Sequence, residues 1–367
     1  MAEQIRPDRQ RELFISKSAR IAASYLKRAK VRKTIGTLCV MVPTELIYAA
    51  GAMPVRLCSG SYTAYAIGDD YIPRDACPLV KAVMGFGKMK GFPVFDNCSL
   101  LIAPVTCDCK KKLSDVTGSV KNTVPRHIPP LKKEDADTEV FLRELYHLVP
   151  ILEKETGRQI TPQSLAEGIR MAGEAQYEMS EFLTYRKYSP SLLHGTQVMA
   201  IMNAYAYMPA DVWAGQMHRL NLEMEARLSQ EHFISRQNQP RILVTGSPIS
   251  FPNIKIPLLI EEMGGILAAD ETCMGERGLY DPVSVIDESF DGMMRALASR
   301  YTKRSMRKIR KRSLSTPLCT RSVCRNKKGC ERRGKILSWA GRRLHLSESR
   351  PAERRKGCKY PGLADRD

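Results

Sequence analysis

Between residues 30 and 130, short apolar runs alternate with turns rich in glycine and proline. Thr34 to Val42 (TIGTLCVMV) reads as a strand, and Pro43 to Gly51 (PTELIYAAG) as the helix that follows it. Proline is tolerated in a first helical turn and glycine suits a helix end. Met53 to Leu57 is a second short strand. Leu100 to Val105 is a continuous apolar run of the kind that a parallel sheet buries on both faces. From residue 138 to 235 the apolar positions change to the helical period, in Phe141, Leu145, Leu148 and Leu152 and again in Trp213, Met217, Leu220, Met224 and Leu228. Gly157 fits a helix C-cap, and Thr161-Pro162 fits an N-cap with proline in the first turn. After Pro240 the strand–helix rhythm returns: Arg241 to Thr245 as strand, Gly246-Ser247-Pro248 as turn, Ile256 to Met263 as helix, Ile266 to Ala269 as strand.

This alternation is the signature of an α/β fold. It divides the chain into an N-terminal helical region (1–29), a first α/β domain (30–137), a helical segment (138–239), the start of a second α/β domain (240–301) and a basic tail (302–367). Beyond Tyr301 no period of 2 or 3.6 is sustained, so the second domain reads as truncated. The most membrane-like run, Gln197 to Gly215, is broken by Asn203, Pro209 and Asp211 and predicts one buried helix. The charged opening MAEQIRPDRQRELF has no apolar signal core, so a cytoplasmic protein is expected.

The net charge of +19 suggests a nucleic-acid binder until it is located along the chain. Residues 301–367 hold 22 Lys+Arg against 5 Asp+Glu, whereas residues 1–300 hold 36 against 34. The basic character therefore belongs to the tail. Three readings of the tail stay open: a reading-frame change near residue 302, a basic extension that binds phosphate backbones, or a metal knuckle built from Cys319, Cys324, Cys330 and Cys358.

Eleven cysteines in a chain with no export signal point to metal binding, catalysis or plain burial, not to a disulfide framework. In open α/β sheets ligands sit beyond the carboxyl ends of the strands. Cys107, Ser247 and Cys273 all follow expected strands, and Cys77 opens an expected helix, where free amides favour a thiolate. Lys110, Lys111 and Lys112 directly behind Cys107 suit an anionic thiolate-ligated group. The same residues also suit buried structural thiols and a solvated first helical turn. No phosphate-binding G-x-x-x-x-G-K-[ST] loop, G-x-G-x-x-G, G-x-S-x-G or zincin spacing occurs, so any ATP would be handled by a partner. His127 reads as a loop residue.

Four motifs in this order, VPTELIYAAG (Val42–Gly51), CPLVK (Cys77–Lys81), TCDCKKK (Thr106–Lys112) and RILVTGSP (Arg241–Pro248), resemble the iron-sulfur subunits of 2-hydroxyacyl-CoA dehydratases and benzoyl-CoA reductases. The double-cubane cluster proteins share the same scaffold. The resemblance implies two flavodoxin-like doubly wound domains of parallel sheet facing each other across a 4Fe-4S cluster, with Cys77 and Cys107 as ligands. It places a third ligand beyond Tyr301, where nothing in the tail matches. Cys39 and Cys273 match positions where double-cubane relatives carry further thiols, so an 8Fe-9S cluster is the alternative cofactor. Cys109 stands where the family has glycine, and Ser247 where some double-cubane relatives have cysteine.

The implied activity is that of a lyase: one-electron reduction of an acyl-CoA thioester and elimination of water through a ketyl radical, under anaerobic conditions. Lys110 to Lys112 would tune the cluster or dock the activator. The implied partners are a homologous second subunit, or a second copy, and an ATP-hydrolysing iron-sulfur activator. A double-cubane-type ATP-dependent reductase and a nucleic-acid-binding protein acting through the tail are the alternatives. No membrane partner is expected.

Overall fold

The computed structural model describes residues 33–89, 93–130, 134–279, 282–303, 335–340 and 343–348. The N-terminal helical region expected for residues 1–29 lies outside them, as do Cys319, Cys324, Cys330 and Cys358.

The first half of the chain runs β1 (Thr34–Thr37), α1 (Thr44–Ala49), β2 (Met53–Arg56), α2 (Tyr62–Gly68), α3 (Pro78–Met89), α4 (Pro93–Asp96), β3 (Cys98–Val105), α5 (Asp108–Thr117) and β4 (Thr123–His127). Its four strands are parallel, in the order β2-β1-β3-β4, the order in which flavodoxin-like sheets begin. Alternate residues of β3 serve opposite layers. Leu100 and Ile102 join the core built with α1 and the later helices, while Leu101 and Ala103 join the core under α3 and α5. This is why the run is apolar throughout. The strand expected over residues 34–42 ends at Thr37, because the chain turns there, with the Val42 amide donating to the Cys39 carbonyl at 3.5 Å.

Helices α6 (Glu134–Thr156), α7 (Pro162–Tyr185), α8 (Gly195–Tyr205) and α9 (Ala210–Ser229) follow. Phe141, Leu145, Leu148 and Leu152, spaced for one helical face, are all buried against the first sheet. Gly157 has a φ of 71°, as a C-cap glycine requires. Thr161 and Ser164 cap each other at the start of α7. The single helix expected from Gln197 to Gly215 is instead two helices, α8 and α9, broken between Tyr205 and Ala210, where Pro209 lacks the amide that a continuous helix needs. No described helix is long and apolar enough to cross a membrane.

The last part comprises β5 (Arg241–Thr245), α10 (Lys255–Glu262), β6 (Ile266–Glu271), a 3-10 turn (Glu276–Leu279), α11 (Phe290–Lys303), β7 (Lys335–Ala340) and β8 (Arg343–Glu348). The second sheet has the order β6-β5-β7-β8, repeating the order of the first, with β8 antiparallel to β7. Two of its four strands therefore come from the tail, where periodicity indicated none. Helix α11 returns to the first sheet, with Met294, Leu297 and Tyr301 buried beside Phe141 and Leu46.

The sheets meet at their carboxyl ends. The loop after β2 touches the loop after β5: the Gly60 amide donates to Phe251 O at 3.2 Å. A β-carbon on Gly60 would lie 2.2 Å from the Ser250 carbonyl oxygen, so only glycine allows this approach.

Candidate functional site

One spacing recurs at the facing strand ends. Cys39, Cys58, Cys107 and Cys273 each lie two residues beyond the last residue of β1, β2, β3 and β6, and Ser247 occupies the same place after β5. A strand fixes the direction of its last peptide, so equal offsets on parallel neighbours bring side chains to one edge. β1 lies between β2 and β3, so Cys39 and Cys107 flank the switch point where open α/β sheets hold ligands.

Lys110 lies within electrostatic reach of these four thiols. Its half-buried ammonium donates to Thr106 Oγ1 at 3.0 Å. Burial works to lower its pKa, but Cys39, Cys58, Cys107 and Cys273 act together to raise it. Lys111 and Lys112 are exposed to solvent instead. The three lysines behind Cys107, alike in sequence, thus divide into one that faces the thiols and two on the surface.

Two arginines complete the positive frame. Buried Arg56, the last residue of β2, reaches across to the second sheet, where its Nη1 donates to Cys273 O at 2.7 Å. Arg277 Nη1 lies 3.6 Å from Cys273 Sγ. The Cys273 pKa is raised, chiefly by burial and by Cys39 beside it, against the pull of Arg277 and Arg56. Cys58, buried and donating to Leu38 O at 3.3 Å, is pushed up to about 11 by burial. Cys107 is exposed, and its carbonyl accepts the Lys110 and Lys111 amides at 3.1 and 3.0 Å at the start of α5.

The loop carrying Cys273 is itself braced. Asp270, fully buried, accepts from the Thr272 amide and hydroxyl at 3.2 Å and from the Glu276 amide at 3.2 Å, and Arg186 pairs with Glu276. Burial raises the Asp270 pKa against the opposing pull of Arg186. On the other side, buried Glu45 accepts from Tyr301 Oη at 2.8 Å and lies 3.5 Å from Arg300. This fixes α1, which follows the Cys39 turn.

Cys77 is placed differently. Its carbonyl accepts the Val80 and Lys81 amides at 3.0 and 3.2 Å, as expected of a residue opening a helix. The half-buried side chain lines a cavity of about 450 Å³ between the sheets, together with Ser59, Tyr65, Thr245, Ser247 and Asn253. Of the four cysteines singled out from sequence, then, Cys39, Cys107 and Cys273 share the strand-end position, whereas Cys77 stands on the cavity wall. Cys58 was missed, although the recurring offset after a strand would have found it. Cys109 packs against the apolar layer under α3, so the Cys-x-Cys pair does not act as a unit. Cys98, at the opposite end of β3, donates to Val94 O at 3.0 Å, and burial pushes its thiol up to about 12.

Thiols of graded exposure inside a ring of cations suit an anionic, thiolate-held group. Among the described residues no three His, Cys, Asp or Glu side chains converge on one point as a single-ion site would need.

Residues 39–314 match the family described as 2-hydroxyglutaryl-CoA dehydratase, D-component. A protein of Escherichia coli (strain K12) named as dehydratase subunit YjiM is 27% identical over 73% of this chain and 68% of its own length. One of the benzoyl-CoA reductase subunits of Thauera aromatica is 24% identical over 71% of this chain and 67% of its own. The β subunit of (R)-2-hydroxyglutaryl-CoA dehydratase from Acidaminococcus fermentans is 23% identical over 75% and 70%. The matched span includes every thiol at the facing strand ends, and on it the chain belongs to the 2-hydroxyglutaryl-CoA dehydratase D-component family.

Proposed function

We propose that the chain is the iron-sulfur subunit of a 2-hydroxyacyl-CoA dehydratase, with Cys77 and Cys107 holding a 4Fe-4S cluster and Cys39, Cys58 and Cys273 close at hand. The observation that carries this reading is the recurrence of a thiol two residues beyond four strands of the two facing sheets, with Arg56 of the first sheet bonded to Cys273 O of the second and Cys77 on the wall of the adjoining cavity. When bound, such a cluster supplies an electron at low potential. Lys110, Arg56 and Arg277 supply countercharge to a thiolate-held anion, and each is anchored by a hydrogen bond that fixes its position before any ligand arrives. The cavity beside Cys77 offers hydroxyls from Ser59, Ser247 and Ser250 to a thioester carbonyl and the substrate hydroxyl, with apolar walls from Leu79, Ile249 and Ile256 for an acyl chain. The reaction proposed is loss of water from the acyl thioester, redox-neutral overall: one electron would enter the thioester carbonyl, hydroxide would leave C2 and a proton C3, and the same electron would then be returned. Its partners are a homologous subunit or a second copy, and an ATP-hydrolysing activator, since the described loops include no phosphate-binding glycine turn. The relatives' names agree in kind, being those of subunits of larger enzymes.

A double-cubane-type reductase is the second reading, favoured by the number of thiols: Cys58 adds a fifth to the four expected. Iron and acid-labile sulfide after anaerobic reconstitution test both. About four of each per chain are expected for the cubane and about eight of the iron for the double cluster. Cys107→Ala should lose iron and dehydration together. Full iron content in that variant would overturn the assignment.

A further inference from the structure

Lys81 has a side chain that is only 1% exposed, and a lysine is almost never so buried without a partner. It sits one helical turn after Cys77 on α3, and its ammonium is used three ways. It pairs with Asp69, the residue that ends α2. It donates to Arg74 O at 2.7 Å, three residues before Cys77. It also lies 5.5 Å from the centre of the Tyr65 ring, which lines the same cavity as Cys77.

The α2–α3 pair does not need this cation to hold together. The two helices already touch backbone to backbone: β-carbons on Gly68 and Gly85 would each lie 1.8 Å from a carbonyl oxygen of the other helix. An apolar side chain would fill the space without the desolvation cost of a buried ion pair. What the ammonium adds is a tie across the loop Asp69–Cys77, from Asp69 at its start to the Arg74 carbonyl three residues before Cys77. We propose that Lys81 is a positioning residue that fixes Cys77 against the cavity by clamping this loop, an inference that rests on the reading of Cys77 as a functional thiol.

The test is site-resolved alkylation by iodoacetamide, read by peptide mass spectrometry on the full metal-free chain. In Lys81→Met the Cys77 rate should rise about tenfold as the loop opens locally, while Cys98, buried in the same apolar layer, stays protected. Asp69→Asn changes only the half-exposed partner, so the fold is kept, and should raise Cys77 about threefold. An unchanged Cys77 rate in Asp69→Asn overturns the proposal even where Lys81→Met fails to fold. So does a parallel rise at Cys98, which would make Lys81 a general packing residue. Iron content after reconstitution is measured separately. Full iron in Cys77→Ala, with the alkylation pattern as expected, would refute the cluster assignment of Cys77 and leave the clamp standing.

Discussion

Gly85 lies in the interior of α3, where glycine is a poor choice: alanine there would favour the helix by about 1 kcal/mol. The α2 backbone opposes that gain. A β-carbon at Gly85 would stand 1.8 Å from the Ala64 carbonyl oxygen and 2.6 Å from its carbonyl carbon. These are backbone atoms and cannot rotate away, so the two helices must separate by about 1.5 Å to reach ordinary contact. Separation on that scale unpacks Ala64, Val80 and Met84, all buried in the layer beneath the first sheet. Overpacking of this kind costs about 3 kcal/mol at the upper end of its usual range, which leaves Gly85→Ala destabilised by about 2 kcal/mol after the helical gain. Gly173 in α7 and Gly215 in α9 are internal controls: both are mid-helix glycines, and a β-carbon on either meets nothing within 4 Å. Gly173→Ala and Gly215→Ala should each stabilise the chain by up to about 1 kcal/mol. Urea unfolding followed by circular dichroism, with midpoints compared at equal slope, reads all three. The reasoning fails if Gly85→Ala raises the midpoint as the controls do, because the backbone contact would then not exist.

Two further outcomes follow from buried titratable groups. The Glu261 carboxylate accepts from the Gly195 amide and the Thr196 hydroxyl, both at 2.6 Å, at the start of α8. Burial acts to raise its pKa, but the bonds from His194, Thr196 and Gly195 outweigh it and hold it below the usual carboxylate range. A depressed folded pKa means stability that is full above the unfolded value and lost as pH falls through the folded one. The midpoint difference between wild type and Glu261→Gln should therefore be worth about 1–3 kcal/mol at pH 7 and shrink on acidification, and a gap constant down to pH 3.5 would contradict it. Cys58, with its thiol pushed up to about 11 by burial, is about one part in a thousand thiolate at pH 8. In the metal-free chain its alkylation should rise about tenfold per pH unit and stay far below that of exposed Cys107; equal rates at pH 8 would contradict its burial.

The parts legible in the sequence are those whose cause is local. The continuous apolar run up to Val105, the Thr161-Pro162 cap and the helical spacing of Phe141 to Leu152 are readable because each depends on neighbours within a turn or two. All reappear in the structure. The break between α8 and α9 was hidden because an apolar run gives no sign of where its helix stops, and even a visible Pro209 does not say on which side. The tail strands were hidden because Lys335–Ala340 is short and its pairing partner is β5, almost a hundred residues earlier.

The candidate site divides along the same line. Cys77, Cys107 and Cys273 are marked by their place before a helix or after strands, but Cys39 falls inside the strand expected to run to Val42 and enters only through the family resemblance, and Cys58 directly follows a strand expected to run one residue too far, to Leu57. Charges that hold the site are invisible locally. Glu45 and Tyr301 are 256 residues apart, and Arg56 and Cys273 are 217 apart. Neither pair leaves a pattern in the chain, because a buried hydrogen bond to a charged group requires only that two distant segments arrive together. Lys110 makes the point most sharply. Three consecutive lysines have the same local chemistry, and the turn of α5 alone selects which one meets the thiols: a helical step of about 100° per residue sends Lys111 and Lys112 to solvent and leaves Lys110 facing the strand ends. A charge run in such a loop is therefore resolved into function and solvation by helix phase, which is set by where α5 begins, immediately after Cys107.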